Sequence, residues 1–388
     1  MLPSQWATYS GQQVADAYAR EADAFGAIGS SPIFPSILDG FSSYEVYAEK
    51  IAKTANQQEQ IRTIIENGGV LDTASPDKTL AQIFCVAQVA ACCELFRSWK
   101  IPTAQLNREG MRQLVRQGST AIQSVPAIPV ETAPEQYSAA QRQLLSAINE
   151  IQNVDTVRCV QVTRLLGLIT TPSTQIQQLS LGANNGYRDL YGIHLVPSIS
   201  IQTDNPIATL SFKTGEQQAA STVLVDNDPV FAEHYAALNE KHRGRVLALN
   251  VDADRALQML QIKQQGNALK RRNLVVGLRI DHRMIPDAEV FLRTIASVVD
   301  DSADLLLTVG AGNNQAEFEG RLQCFDALFG ALGNMGLRPV RILMHAKGTP
   351  QEQRSRPHFG QLAYSSYQLL HCKLHPGQMQ YPNPDMLR

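Results

Sequence analysis

Hydrophobic residues recur at helical spacing through the first third of the chain. Val14, Tyr18 and Phe25 form one such run, and apolar positions from Tyr47 to Ile65 form another. Gly68-Gly69 follows the second run as a helix stop, and alternating strand patterns are absent from this region. We therefore predict a helical N-terminal domain over residues 1–125.

Prolines 126, 129 and 134 mark the segment that follows. Because proline lacks an amide hydrogen and fixes φ, regular structure is disfavoured there. The sequence predicts a linker at residues 126–136 and a second domain at residues 137–388.

From Gln178 onward, short apolar runs alternate with helical stretches. This alternation is typical of an α/β domain with a mostly parallel sheet and helices on both faces. The predicted strands are Leu179–Leu181, Thr222–Val225, Val246–Leu249, Leu274–Ile280, Leu305–Val309, Val340–Met344 and Tyr367–Cys372. The predicted helices include Val230–Glu240, Asp287–Val299 and Ala316–Leu332.

Composition and charge narrow the class of partner. The chain has 388 residues, 44% hydrophobic and 18% charged, with a formal net charge of -2. A balanced charge without long basic runs argues against nucleic acid or an anionic membrane as the main partner. The most apolar stretch, Ala81–Phe96, is too short to span a bilayer and carries polar residues, so we expect a buried helix there. Scattered cysteines and no secretory pattern at the N-terminus favour a cytoplasmic protein.

Polar residues follow the first three predicted strands. Gly182 and Gly186, with Asn184 between them, follow the first strand and allow a sharp turn close to a ligand, although a plain strand-to-helix turn is an equal alternative. Asp226 ends the second strand, where a carboxylate can accept both ribose hydroxyls of a nucleoside. A helix N-cap is the other interpretation, and it suits Asp228, which precedes Pro229.

The third strand ends before Asp252, which is well positioned to accept the exocyclic amine of an adenine or to serve as a turn carboxylate. From Gln178 to about Cys372, the sequence resembles the class I S-adenosylmethionine-dependent methyltransferases. The resemblance implies a Rossmann-like seven-stranded methyltransferase sheet. It also implies S-adenosylmethionine as the cofactor. The residues that it assigns to the cofactor are Gly182, Ala183, Asn184, Gly186, Asp226, Asn227, Asp252, Ala253 and Arg279.

The chain departs from the family pattern at three places. Ser180 stands where the family has an acid that helps to hold the methionine ammonium, and Asn184 stands at a usual glycine. Two additional strands, Ile193–Pro197 and Ile207–Phe212, are predicted as insertions over the site. Another group must then hold the ammonium.

Side chains for the reaction are chosen by position and chemistry. We predict Tyr18, Asp281 and His282 as catalytic, since an aromatic face stabilises a sulfonium and a base is useful at the end of the fourth strand. Tyr9, Tyr187 and Arg188 are predicted to contact the substrate. Packed aromatics, a solvated arginine and a helix-capping aspartate are the alternatives. No metal is required, because the sulfonium carbon is already electrophilic.

Three functions remain open. The first is a methyltransferase that acts on a small molecule of secondary metabolism, and the second is a cyclase in which the amine of S-adenosylmethionine attacks its own chain, as in the azetidine-2-carboxylate synthases. The third is a non-catalytic methyltransferase-like subunit. A homodimer is also an open alternative.

Overall fold

The fold is taken from a computed structural model. It describes residues 10–16, 55–72, 120–129, 132, 136–148, 162–163, 166–169, 171–186, 189–190, 197–202, 207–212, 219–277, 285, 287–309, 315–344 and 367–379. The helix predicted at Ala81–Phe96 lies outside these residues.

Helices and strands alternate through the second half of the chain. The strands are β1 (Gly69–Asp72), β2 (Gln177–Leu181), β3 (Pro197–Gln202), β4 (Ile207–Phe212), β5 (Ser221–Val225), β6 (Val246–Leu249), β7 (Arg272–Gly277), β8 (Val299–Val309), β9 (Val340–Met344) and β10 (Tyr367–Leu374). The helices are α1 (Ala55–Asn67), α2 (Ala232–Lys241), α3 (Ala253–Gln265), α4 (Ala288–Ala296) and α5 (Gln315–Asn334).

The main sheet has the order β1-β9-β10-β8-β7-β2-β5-β6. Strand β10 runs antiparallel to β8 and β9, and the other pairs are parallel. The expectation of an α/β domain with a mostly parallel sheet is confirmed. Strands β3 and β4 form a separate antiparallel pair in the described part of the insertion. The predicted strand Ile207–Phe212 is confirmed, whereas residues 193–196 of the other predicted strand lie outside the described residues.

The seven-strand expectation is wrong, because the described residues form a sheet of eight strands. The additional strand is β1, which lies in the region predicted to be helical. The amide of Gly69 donates to the carbonyl of Pro339 at 2.9 Å, and β1 continues parallel to β9 in the register Gly69↔Val340. Strand β1 has only two apolar residues, Val70 and Leu71, between Gly69 and Asp72, so no apolar run or alternation marks it in the sequence. The boundaries of the two predicted domains stay predictions.

One face of the sheet packs against α3, α4 and α5. Alternate strand residues such as Leu179, Val223 and Leu305 are fully buried there against Leu260 of α3 and Leu292 of α4. Each buried leucine contributes roughly 1.5–3 kcal/mol relative to an exposed one. This cluster anchors the strands whose ends form the site.

Helix α1 packs against the opposite face. Ile61 joins Leu71 of β1 and Ile342 of β9 in a second buried cluster. Helix α1 ends at Asn67, as the Gly68-Gly69 stop predicts. With α1 on one face and α3, α4 and α5 on the other, the expected placement of helices on both faces is confirmed.

Strand β8 is longer than predicted. It begins at Val299 instead of Leu305, and α4 ends at Ala296 instead of continuing to Val299. The half-buried Asp300 and the exposed Asp301 interrupt the apolar pattern, but Val299 already pairs with Arg272 of β7. Within the part of the chain that the structure describes, no helix is both long and apolar enough to cross a membrane.

Candidate functional site at the strand ends

The predicted glycine-bearing turn lies at the switch point of the sheet. Strand β2 pairs with β5 on one side and with β7 on the other. Outward from β2, the order is β5, β6 in one direction and β7, β8 in the other, which is the doubly wound arrangement. Ligands bind in such sheets outside the carboxyl ends of the strands, where the order reverses. Leu181, Val225 and Leu249 end the three strands that form this edge.

The turn after β2 contains three residues with left-handed backbone. Gly182, Asn184 and Gly186 have φ values of 64°, 52° and 72°. The amide of Ala183 donates to the carbonyl of Val225 at 3.0 Å, which ties the turn to the end of β5. A Cβ atom on Gly186 would lie 2.6 Å from Cδ1 of Leu224, so glycine is required for this close approach.

Asp226 joins the turn to the second strand. Its Oδ2 accepts the amide of Asn184 and its Oδ1 accepts the amide of Asp228, both at 2.9 Å. The residue is 8% exposed. A carboxylate can accept about four hydrogen bonds.

Asp228 is the predicted helix cap, and the structure confirms this. Its Oδ1 accepts the amide of Val230 at 3.0 Å, and Pro229 follows at the first position of a short 3-10 turn that leads into α2. The other oxygen, Oδ2, is buried without a hydrogen-bond partner among the described residues. The predicted cap is thus present at Asp228, and the ligand-binding role of Asp226 stays a prediction.

Asn250 is a site residue that the sequence analysis missed. Its Nδ2 donates to the carbonyls of Asp226 and Asp228, at 3.0 and 2.8 Å. Asn250 is the first residue after β6, as Asp226 is the first residue after β5. This equivalence of position was the signal that would have found it.

Asp252 and Asn227 meet at the edge of the same crevice. Nδ2 of Asn227 donates to Oδ1 of Asp252 at 2.8 Å. Asp252 occupies the N-cap position of α3, whose first residue is Ala253, but its carboxylate makes no capping hydrogen bond. This hydrogen bond therefore links the segment after β6 to the segment after β5.

Ser180 lies on a polar strip of β2 that faces away from the α3–α5 cluster. Its hydroxyl is buried without a hydrogen-bond partner among the described residues. Two positions earlier, Nε2 of Gln178 donates to Oδ1 of Asp189 at 2.9 Å, and both side chains are fully buried. The Asp189 carboxylate is thus paired with Gln178, two positions before Ser180.

The remaining predicted site residues lie outside the described part of the chain. Their roles stay predictions. They are Tyr9, Tyr18, Tyr187, Arg188, Arg279, Asp281 and His282.

The described residues fit the nucleoside half of S-adenosylmethionine. An acceptor carboxylate lies beside a turn with left-handed residues, and a second carboxylate, Asp252, is exposed at the end of the next strand. The ribose hydroxyls and the exocyclic amine of adenine donate hydrogen bonds, which carboxylate oxygens accept.

A search against protein-family models finds no match, and a search of curated proteins finds none either. Among solved structures, the chain is similar to the CurJ carbon methyltransferase, with 11% identity, a TM-score of 0.34, and coverage of 94% of this chain and 91% of that one. It is also similar to the CMeT domain of the citrinin polyketide synthase, with 10% identity, a TM-score of 0.35, and coverage of 93% and 89%. A third is a possible exported protein from Bordetella parapertussis, with 11% identity, a TM-score of 0.28, and coverage of 84% and 96%.

The sheet combines three features: a doubly wound strand order, a reversed strand β10 beside β9, and a glycine-bearing turn at the switch point. The described residues therefore form an α/β fold with a doubly wound, mostly parallel sheet and one reversed strand, β10.

Proposed function

We propose that this protein binds S-adenosylmethionine at the ends of β2, β5 and β6 and transfers its methyl group to a small molecule. The observation that carries the proposal is the 2.9 Å hydrogen bond between the Asn184 amide and Oδ2 of Asp226. It joins the carboxylate suited to ribose hydroxyls to the turn that lets a ligand approach the backbone.

The nucleoside half would be held by two carboxylates. Asp226 would accept the ribose hydroxyls, and its geometry is set beforehand by the amides of Asn184 and Asp228. Asp252 would accept the adenine amine, with Asn227 orienting its carboxylate. Both side chains are held by neighbours before a ligand arrives, which lowers the entropic cost of binding.

S-adenosylmethionine, when bound, supplies an electrophilic methyl group on a sulfonium. The residues of this chain then have to orient an acceptor in line and exclude water. We assign the exclusion of water to the N-terminal segment 1–125, as a lid and substrate-selecting domain. Proton transfer falls to Asp281 or His282, and the sulfonium contact to Tyr18. Contacts to the acceptor fall to Tyr9, Tyr187 and Arg188, and Arg279 would hold the cofactor. A cytoplasmic role in small-molecule biosynthesis is part of the same proposal.

A second reaction is supported by Ser180. A nearby carboxylate would favour the charged ammonium of the methionine end, and a neutral hydroxyl does not. The neutral amine is the nucleophile that an intramolecular displacement needs. The nitrogen would bond to the γ-carbon of the methionine chain, and the bond between that carbon and sulfur would break. The products would be azetidine-2-carboxylate, methylthioadenosine and a proton. The first test must therefore distinguish the two reactions.

The test begins with calorimetric binding of S-adenosylmethionine to the full chain. Asp226→Ala should abolish binding, whereas Asp254→Ala should bind as the wild type does, because Asp254 is an exposed carboxylate in the first turn of α3. Equal affinity of the wild type and Asp226→Ala would contradict the site.

Product analysis then separates the reactions. Methylthioadenosine formed from S-adenosylmethionine alone supports the cyclase. S-adenosylhomocysteine formed with an added acceptor supports the methyltransferase. A chain that binds no S-adenosylmethionine would overturn both and leave the non-catalytic subunit.

A further inference from the structure

The turn at the switch point is contacted from outside by a histidine. His234 lies in the first turn of α2, and its Nε2 is 2.8 Å from the carbonyl oxygen of Asn185. The His234 side chain is exposed, so burial in the core does not explain its position. The partner that it contacts belongs to the segment with three left-handed residues.

Asn185 is the residue between Asn184 and Gly186, whose φ values are 52° and 72°. The Asn184 amide is held by Asp226 from β5, and the Asn185 carbonyl is held by His234 from the helix after β5. Two consecutive residues of the turn thus make hydrogen bonds to the unit formed by β5 and α2. Asn184 donates through its amide, and Asn185 accepts through its carbonyl.

The ring chemistry defines what can replace His234. A carbonyl oxygen accepts hydrogen bonds, so Nε2 must carry a hydrogen. The neutral Nε2–H tautomer and the protonated ring both satisfy this requirement. A glutamine side chain can also present an N–H donor, whereas alanine cannot.

We infer that His234 is a positioning residue for the cofactor turn: it keeps the Asn184–Gly186 backbone in the conformation that receives S-adenosylmethionine. This inference rests on the proposed function. A loop that is ordered before binding loses less entropy when the ligand arrives, so its affinity is higher without any new contact to the ligand.

The experiment compares His234→Ala, His234→Gln and the control Glu233→Ala, which removes an exposed side chain from the same turn of α2. One exposed hydrogen bond is worth about 0.5–1.5 kcal/mol, so His234→Ala should raise the Kd for S-adenosylmethionine by about twofold to tenfold. His234→Gln should restore most of the affinity, and Glu233→Ala should leave it unchanged. The thermal unfolding temperature should fall by no more than about 1–6 °C in His234→Ala and stay near that of the wild type in the other two variants.

Hydrogen exchange of the free protein provides a readout that a general loss of stability would not produce. The amides of residues 182–186 should exchange faster in His234→Ala, with α3 and α5 unchanged. Unchanged exchange in the turn, or a His234→Gln variant as weak as His234→Ala, would overturn the inference.

The two proposals fail in different ways. If the wild type binds S-adenosylmethionine, Asp226→Ala does not, and His234→Ala binds like the wild type, then the role of His234 is refuted and the site survives. If the wild type does not bind, the proposed function fails, and the inference that depends on it fails with it.

Discussion

Gly186 offers the sharpest test of how the turn is built. Its φ is 72°, and a Cβ atom there would lie 2.6 Å from Cδ1 of Leu224. Gly186→Ala therefore combines backbone strain with a clash against a fully buried leucine. Gly244 separates the two effects, because its φ is 82° and the described structure has no heavy atom within 4 Å of a Cβ built on it.

The expected magnitudes follow from these two contributions. Left-handed backbone costs an alanine about 1–2 kcal/mol, and forcing additional volume into a packed core costs about 1–3 kcal/mol more. In a domain of about 150–250 residues, 1 kcal/mol lowers Tm by about 2–4 °C. Gly244→Ala should therefore lower Tm by about 2–8 °C, and Gly186→Ala by about 4–20 °C.

Leu224→Val isolates the clash. It removes the Cδ1 atom that the new methyl group would meet, at a cost of about 1 kcal/mol by itself. Thermal unfolding of both single variants and of the double variant gives the coupling between the two positions. The double variant should be more stable than the sum of the single effects predicts. Strict additivity, or a Gly186→Ala variant no less stable than Gly244→Ala, would refute the close approach of the turn to β5.

Three further predictions concern buried polar groups. Ser180→Ala should change the unfolding free energy by less than about 1 kcal/mol, because the buried hydroxyl has no partner among the described residues whose hydrogen bond would be lost; a larger loss in denaturant unfolding would contradict this. Burial raises the pKa of the Cys372 thiol to about 12, so the thiol stays protonated at about pH 8. Cys372 should therefore resist iodoacetamide in the native protein, as mass spectrometry of the labelled protein would show. Rapid labelling of the native protein would be inconsistent with this burial. Asp304 accepts hydrogen bonds from His371 at 2.9 Å and from Lys373 at 2.7 Å, so Asp304→Asn should lower the free energy of chemical unfolding by about 3 kcal/mol. Because the Lys373 side chain is 41% exposed, Lys373→Met should lower it by under about 1 kcal/mol. Equal losses would count against the paired arrangement.

Local patterns determined the elements that depend on their own residues. The predicted bounds of β6 and β9, Val246–Leu249 and Val340–Met344, are those observed. The capping of the turn by Asp228 is equally local, because its carboxylate reaches an amide two residues further along the chain. The placement of Asp226 beside the turn followed from the rule that parallel strands end at one edge of the sheet.

Long-range packing decided the rest. Strand β1 exists because its backbone pairs with β9, more than two hundred residues away, and its own four residues carry no periodic signal. The start of β8 at Val299 depends on pairing with Arg272. The hydrophobic pattern does not indicate this start, because Asp300 and Asp301 interrupt it. The hydrogen bond between His234 and the Asn185 carbonyl joins helix α2 to the turn after β2. A sequence pattern contains no information on which backbone oxygen lies within reach of a side chain. Hydrophobic periodicity reports which face of an element is buried, whereas partners across the fold are selected by three-dimensional packing.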